Sequence, residues 1–146
     1  MVNIQVLLLV LLTLVIAWSF DRFVLKRGAV TLNSCSLFDM QGEYWRFVLA
    51  YTIRHPIYWG EIRYQLTDKS DPSTVITGRA RTLDHAIAGV NNEFLLIKER
   101  LTATSTQHKS WKVHIVVNTV VDHWNPLYKY FPLSTSKTFE VTLNAN

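Results

Sequence analysis

Residues 43–68 read EYWRFVLAYTIRHPIYWGEIRYQLTD, and this stretch decides the fold. From Glu43 to Ile53 the side chains alternate in period two, which is typical of a β-strand with one buried face. The large apolar side chains on that face are Trp45, Phe47, Leu49 and Tyr51. His55-Pro56 interrupts the alternation, because proline has no N–H to donate to a ladder. Residues 43–68 therefore predict two strands with a break between them.

The second strand, Ile57–Asp68, alternates as cleanly as the first. One face is predicted to carry Tyr58, Gly60, Ile62, Tyr64 and Leu66. A polar turn follows at residues 68–73, where Asp, Ser and Pro are concentrated. The more polar segment Thr74–Leu83 is then predicted to return beside the second strand, so that the two form a hairpin.

Alternation predicts three further strands, at Glu93–Thr104, Trp111–Val121 and Thr138–Leu143. For Asp84–Asn92 the sequence allows either a short helical turn or a loop. Residues 105–110 form a polar turn, and His123–Ser136, with two prolines and four aromatic residues, is predicted to be an ordered loop. About six strands with polar turns indicate an all-β domain, either an antiparallel sandwich or a small barrel.

The N-terminal segment Val6–Phe20 reads VLLLVLLTLVIAWSF and predicts a single transmembrane helix. Extended back to Val2 it spans about 19 residues, enough to cross a hydrocarbon core of about 30 Å. The anchor residues are Val6, Leu7, Leu8, Leu9, Leu11, Leu12, Leu14, Val15, Ile16, Trp18 and Phe20. We therefore divide the chain into a transmembrane anchor with its juxtamembrane segment (1–27) and a β domain (28–146).

A cleaved signal peptide is the alternative, since Ala17 and Ser19 are small enough for cleavage after Ser19. We favour a retained anchor, because no Lys or Arg precedes the apolar run and no short polar stretch precedes the cut. The flanking cations Arg22, Lys26 and Arg27 would place the β domain in the cytoplasm by the positive-inside rule. We nevertheless expect a bacterial inner-membrane protein whose β domain lies in the periplasm.

Composition excludes several classes of protein. The chain has 146 residues and a formal charge of +4, with its Lys and Arg residues scattered singly. The sequence has no Lys/Arg cluster of the kind that binds along a phosphate backbone, so we expect no nucleic acid partner. The single cysteine, Cys35, cannot form an internal disulfide. No Asn-x-Ser/Thr acceptor occurs, which fits a bacterial protein without establishing one.

No catalytic or metal-binding motif stands out. The five histidines lack the spacing of a zinc site, and there is no nucleophile elbow or phosphate loop. We therefore predict neither an enzyme nor a cofactor or metal site. Because imidazole titrates near neutral pH, His114 and His123 are candidates for pH sensing.

The aromatic residues are the strongest remaining signal. Most are expected in the core, because aromatic side chains favour strands and bury large areas. Four are concentrated in the predicted loop: Trp124, Tyr128, Tyr130 and Phe131. Loop aromatics often line a ligand pocket or anchor a protein interface, so these four are the candidate interface or ligand residues.

Four features carry a resemblance to a known family. They are the single anchor, the early lone Cys35, the aromatic strand at Trp45 and Phe47, and the hairpin that opens with Tyr58–Ile62. The chain resembles the FidL-like membrane proteins, which are comparable to ToxS-type partners of membrane-bound transcription regulators. The resemblance implies a periplasmic domain that stabilises a ToxR-like regulator. It also implies that a lipocalin-like barrel could hold a small apolar ligand.

Three hypotheses follow from the sequence. The first is a non-enzymatic, membrane-anchored interaction module that binds a membrane protein partner. The second is a sensor or carrier of a small apolar ligand, with an interior lined by Trp45, Phe47 and Tyr64. The third is a component of an envelope-assembly or secretion machine.

Overall fold

A computed structural model describes residues 3–41, 44–98 and 109–143 of the chain. The N-terminal helix α1 runs from Ile4 to Ser19, and the side chain of Asn3 caps it by accepting the N–H of Gln5. A π-helical segment, Phe20–Leu25, continues the helix without a break. The rest of the described chain is mostly antiparallel sheet, so the predicted all-β class is confirmed.

Eight strands and one short helix follow the π-helical segment. They are β1 Val30–Gln41, β2 Tyr44–Ile53, β3 Ile57–Asp68, β4 Val75–Thr77, β5 Arg81–Ala86, β6 Gly89–Lys98, β7 Lys109–Val121, α2 Leu127–Tyr130 and β8 Leu133–Leu143. One sheet has the order β1-β2-β6, and the other has the order β4-β3-β7-β8 with β5 also paired to β3. A single core cluster contains residues of both sheets, as in a sandwich.

The buried faces of the two deciding strands largely agree with the sequence. Trp45, Phe47, Leu49 and Tyr51 are all buried, as are Ile62, Tyr64 and Leu66 on β3. Tyr58 is the exception, because it is exposed instead of sharing the buried face. The β3–β7 register shifts between Ile57 and Trp59, and a bulge of this kind turns a side chain to the other face of the sheet.

Strand β1 was not predicted from the sequence. Its residues, VTLNSCSLFDMQ, lack a regular alternation, and its pairing with β2 shifts register at two places. The first shift lies between Leu32 and Ser34 and the second between Leu37 and Asp39. Each irregularity changes which face the following residues occupy, so no simple period-two pattern survives in the sequence.

Three predicted segments differ in detail. Asp84–Asn92 is neither a helical turn nor a loop, because β5 continues to Ala86 and β6 begins at Gly89. The sharp reversal uses positive φ angles at His85 and Gly89. The loop predicted to reach Ser136 ends earlier, since β8 begins at Leu133. Of the predicted strand Glu93–Thr104, residues 99–104 lie outside the described residues, and so does most of the predicted turn at 105–110.

Tyr64 joins the two sheets at the outer edge of β6. Its hydroxyl donates to the carbonyl of Leu96 at 2.7 Å and accepts the Leu96 N–H at 2.9 Å. Gly78 lies against the same ring, and a Cβ at this position would come within 1.9 Å of Tyr64 Cε2. The ring is buried and held by these hydrogen bonds, so it cannot move away from a Cβ at position 78. Position 78 therefore requires glycine. Tyr64 is thus a structural residue of the sandwich.

The helix and seven strand ends of the described chain lie at the same end of the sandwich. There β1, β3, β6 and β8 begin and β2, β5 and β7 end, as the antiparallel registers require. Backbone bonds hold this end together: Arg54 N–H donates to Ala29 O at 2.8 Å, and Asp122 N–H donates to Pro56 O at 2.9 Å. We call it the helix-proximal end.

Candidate functional site: the junction of the helix and the β domain

The aromatic loop, which we define as residues 122–132, crosses the helix-proximal end between β7 and β8. Asn125 organises it locally, since its side-chain oxygen accepts the Leu127 N–H at 3.0 Å and its own N–H donates to His123 Nδ1 at 3.1 Å. The first of these bonds is the usual Asx turn, and it starts the single helical turn α2. The loop is therefore folded by its own side chains.

Asn125 also connects the loop to the N-terminal helix. Its fully buried amide donates to the backbone carbonyl of Trp18 at 2.9 Å and to Asp21 Oδ2 at 3.0 Å. The Asn125 side chain itself is out of contact with water, where an unsatisfied polar group is costly. Asn125 thus requires both the helix and the loop in their observed positions.

Arg22 makes the second connection. Its guanidinium donates to the carbonyl of Phe131 from both Nε (3.0 Å) and Nη2 (2.8 Å), and Nη2 also donates to the carbonyl of Pro132 at 3.0 Å. The same group lies 5.5 Å from the centre of the Tyr128 ring. Arg22 is itself buried, so these carbonyls replace the water that a free guanidinium would bind.

Asp21 balances the charge of the junction. Its Oδ1 lies 3.1 Å from Nε of Arg27, and its backbone carbonyl accepts the hydroxyl of Tyr128 at 3.3 Å. The Tyr128 hydroxyl in turn accepts the N–H of Arg27 at 3.3 Å. Hydrogen bonds and ion pairs therefore hold the base of the helix to the β domain, and these groups fix the direction in which the helix leaves it.

The structure separates the four predicted loop aromatics into two groups. Tyr128 is buried in the junction, whereas Trp124, Tyr130 and Phe131 are exposed around it. Phe131 also stacks edge-on against Phe23 of the π-helical segment, with ring centres 5.3 Å apart. The candidate interface residues thus lie beside the base of the helix.

Sequence reasoning missed the polar core of this site, namely Asp21, Arg22 and Asn125. Arg22 was considered only as a flanking cation in the orientation rule, and Asp21 and Asn125 were given no role. The available signal was a pair of charged residues directly after the apolar helix, together with an Asn-Pro pair some hundred residues later. That signal could not be assigned without the fold, because nothing local links the two segments.

The two candidate pH-sensing histidines have different surroundings. His114 is in β7, where its Nδ1 lies 2.9 Å from the hydroxyl of Thr138 on β8. His123 adjoins the junction, with its ring 4.5 Å from the Tyr128 ring and 5.5 Å from the His55 ring. Partial burial lowers the pKa of His123; Asp21 raises it, and His55 and Arg27 lower it further.

The anchor residues predicted from the sequence lie on a largely bare helix. Residues 4–17 are all exposed, and only Trp18 and Ser19 are partly covered by the β domain. Ile4–Leu25 forms a 22-residue helical stretch with a mean hydropathy of 2.2, long and apolar enough to cross a membrane. These side chains make no core of their own, so their surface is available to lipid or to another helix.

An open cavity of about 530 Å³ lies at the β6 edge, away from the junction. Tyr64 borders it together with three cationic side chains, Arg79, Arg81 and Lys98. Trp45 and Phe47 are buried in the core and do not border it. The cavity thus differs in chemistry from the apolar interior predicted for a small ligand, and that hypothesis stays a prediction. The residues that the structure describes include no group of three or more metal-ligating side chains.

Fold and junction together define a class: a small β-sandwich protein carried on one helix that is apolar enough to span a membrane. The family model of LydB, described as LydA-holin antagonist, matches residues 5–145, and the chain belongs to that family. No curated protein matches the chain. LydB is a different family from the FidL-like one that the architecture resembles, but the coarser expectation of a small protein of the membrane-anchored type is supported.

Replacing Asn125 by Ala is expected to loosen the junction. The substitution removes both donors to the helix and leaves the buried Asp21 carboxylate with one partner fewer, which costs about 1–3 kcal/mol. We expect a lower thermal midpoint of the full chain in detergent and faster hydrogen exchange in the aromatic loop.

Asn33→Ala is the matched control. Asn33 is exposed, and its amide makes one hydrogen bond, to the hydroxyl of Thr52 at 2.8 Å. The control should change the thermal midpoint far less than Asn125→Ala. Equal effects of the two substitutions would contradict the role assigned to the junction.

Acid is expected to weaken the junction through His123. Because the pKa of His123 is lower in the folded chain than in the unfolded one, the unfolded chain binds more protons as the pH falls below about 6.5. Its contribution to stability is therefore present above that pH and is lost below it. Protonation would also remove Nδ1 as the acceptor of the Asn125 N–H.

The measurement is the thermal midpoint of the full chain between pH 7.5 and 5.5, compared with that of His123→Asn. Asparagine can accept the same N–H but does not titrate, so the variant should lose less stability on acidification. Asn33→Ala, which removes no titratable group, serves as control and should follow the wild type. A His123→Asn profile identical to the wild type would show that another group causes the effect.

Proposed function

We propose that this chain is a non-enzymatic antagonist that binds a LydA-type holin in or at the membrane. The family match over residues 5–145 supports the kind of partner, because it covers the helix and the β domain together. The observation that carries the proposal is the bare apolar helix fixed to a folded domain. An antagonist of a membrane protein has to reach its target there, and this helix can do so.

The exposed surface of α1 is the proposed holin contact. Its side chains are not used to pack the β domain, so they are free to pack against another transmembrane helix. In a bilayer, such packing depends on shape more than on apolar character, because lipid is as apolar as the side chains. The order of residues along α1, and not only its composition, should therefore determine the partner.

The junction explains how binding by the helix could obstruct the partner. A helix is about 10–12 Å wide, whereas four paired strands alone span about 15 Å and a second sheet adds about 10 Å. Because the junction fixes the domain to the helix, a holin helix paired with α1 would carry this broader body beside it. The bulk would keep further helices from packing closely, and this is the proposed mechanism of antagonism.

The buried polar groups of the junction support a structural role over a catalytic one. The Asn125 amide and the Arg22 guanidinium bond to the helix or the loop, and the Asp21 carboxylate lies against Asn125 and Arg27. Catalytic groups, by contrast, need to reach a substrate in a cleft. We therefore assign the junction to positioning the helix, and we propose no reaction for this chain.

We further propose that the β domain lies in the periplasm. In the folded chain Arg27 pairs with Asp21, while Arg22 keeps its charge and bonds to loop carbonyls. Lys26 and Arg27 are exposed, whereas Arg22 is buried. The opposite orientation is favoured by these three cations alone, and long domains are translocated largely regardless of their charge.

A holin is a better-supported partner than the ToxR-like regulator implied by the FidL-like resemblance, since the family match names a holin. The regulator, an envelope-assembly machine and a small apolar ligand are the competing proposals. Affinity isolation of the full chain from membranes would distinguish them by what is recovered.

Shuffling the order of residues 6–16 is expected to abolish antagonism while preserving insertion. The shuffled helix keeps its length and composition, so it still spans the membrane. Because the packing surface is lost, we expect the amount of a co-expressed LydA-type holin that co-purifies to fall about tenfold, equivalent to about 1.4 kcal/mol. Unchanged co-purification would show that the β domain makes the contact.

Asn125→Ala provides the complementary variant. It leaves α1 intact but loosens the junction, so the holin should still co-purify while the antagonism of lysis weakens. Asn33→Ala should preserve both. Full antagonism by Asn125→Ala at equal expression would contradict the proposed steric mechanism.

C-terminal fusions to two reporters should establish the orientation. A periplasmic domain predicts activity of alkaline phosphatase, which works only outside the cytoplasm, and no fluorescence of a fused cytoplasmic reporter. The reverse pattern would place the β domain in the cytoplasm and confirm the simple charge rule.

A further inference from the structure

Exposed apolar side chains gather at the helix-proximal end of the β domain. We define the rim by its members, which are Tyr58, Ile87, Val90, Trp124, Tyr130 and Phe131. Ile87 and Val90 are 75% and 74% exposed, and Tyr130 is 73% exposed. Apolar side chains so open to water, grouped on one surface, mark a site of contact with another apolar body.

The strand registers show that the rim occupies one end of the sandwich. Ala86 and Val121 both pair with Ile57, so the end of β5 and the end of β7 flank the start of β3. Leu133 pairs with Thr119, which adds the start of β8 to the same row. Four strands at about 4.8 Å spacing make this row about 15 Å wide. The β5–β6 turn and the aromatic loop lie at its two sides.

The length of the helix places the bilayer surface at this rim. Helix α1 has 16 residues and a length of about 24 Å, less than the hydrocarbon thickness of about 30 Å. The hydrocarbon must therefore extend along the π-helical segment, where Phe20, Phe23, Val24 and Leu25 are exposed. Phe23 contacts Phe131 at 5.3 Å, so the aromatic loop lies at the level where the hydrocarbon ends.

The composition of the rim fits the interface of a bilayer. Trp and Tyr are enriched where lipid head groups meet the hydrocarbon, and Lys and Arg side chains extend from that level to water. Trp124 and Tyr130 supply the first type, and Lys26 and Lys129 are exposed beside them. The ammonium of Lys129 also lies 5.8 Å from the centre of the Tyr58 ring, which links the loop to the start of β3.

We propose that the rim is a second membrane contact: the β5–β6 turn and the aromatic loop insert into the lipid head-group region around the base of the helix. The proposal rests on the membrane-spanning role of α1 proposed above. A lipid surface fits better than one partner helix, because the rim continues the apolar surface of the anchor and spreads over about 15 Å. The domain is thereby held against the bilayer at several points.

Site-directed fluorescence in vesicles tests this contact. Ile87→Cys and Tyr130→Cys place a label in the rim, and Val75→Cys is the matched control. Val75 is 48% exposed and lies in β4, beside Thr67 at the opposite end of β3. Cys35 can stay, because burial raises the pKa of its thiol to about 12 and it will not react near neutral pH. The parent chain serves as the labelling blank.

The full-length variants, labelled with an environment-sensitive dye, would be reconstituted in phosphatidylcholine–phosphatidylglycerol vesicles. Quenching by a lipid carrying a shallow spin label is expected to be at least about threefold stronger at positions 87 and 130 than at 75, and quenching by aqueous iodide correspondingly weaker. Rim labels that behave like the label at position 75 would overturn the proposal.

Addition of a LydA-type holin separates lipid from protein as the occupant. Rim labels that become protected only when the holin is present would also overturn the proposal, because the surface would then belong to a protein partner. The first measurement contains no holin, so its failure would leave the antagonist function to be judged by the co-purification experiment alone.

Discussion

The rest of the molecule depends on one set of buried hydrogen bonds. Arg22 donates to the carbonyls of Phe131 and Pro132, and the Asn125 amide donates to Asp21. The Asp21, Arg22 and Asn125 side chains are buried, and each offsets part of the desolvation cost of another; Asp21 Oδ1 accepts no hydrogen bond from the described residues and lies against Arg27 Nε. Losing any one leaves a polar or charged group buried without its partner. The helix and the β domain are therefore stable only in one mutual arrangement.

That arrangement connects the sandwich to a helix that is apolar enough to span a membrane. The two sheets bring the start of β3, the turn after β5 and the aromatic loop to one end, and the junction directs the helix out of that end. A flexible linker would have allowed the domain to move relative to the helix. The same arrangement leaves the anchor surface bare and places aromatic side chains around its base. Membership of the LydB family gives this geometry a biological context, since a holin antagonist acts on a membrane protein.

Period-two alternation was sufficient for the strands β2, β3 and β7, because each buries one face continuously and keeps its register over most of its length. It failed for β1 and for Tyr58, where bulges move side chains between faces. The loop aromatics were identified correctly as a group, but the burial of Tyr128 and the exposure of its neighbours depend on the helix that packs between them.

The sequence by itself determined the apolar helix, the all-β class and the concentration of aromatics in one loop, because each follows from composition or short-range periodicity. Only the tertiary structure decided that Asp21 and Arg22 form a buried junction with residues more than 100 positions away. Sequence patterns are local, whereas the free energy of a buried charge depends on which distant groups surround it. The partners of these charges therefore become known only when the chain is folded.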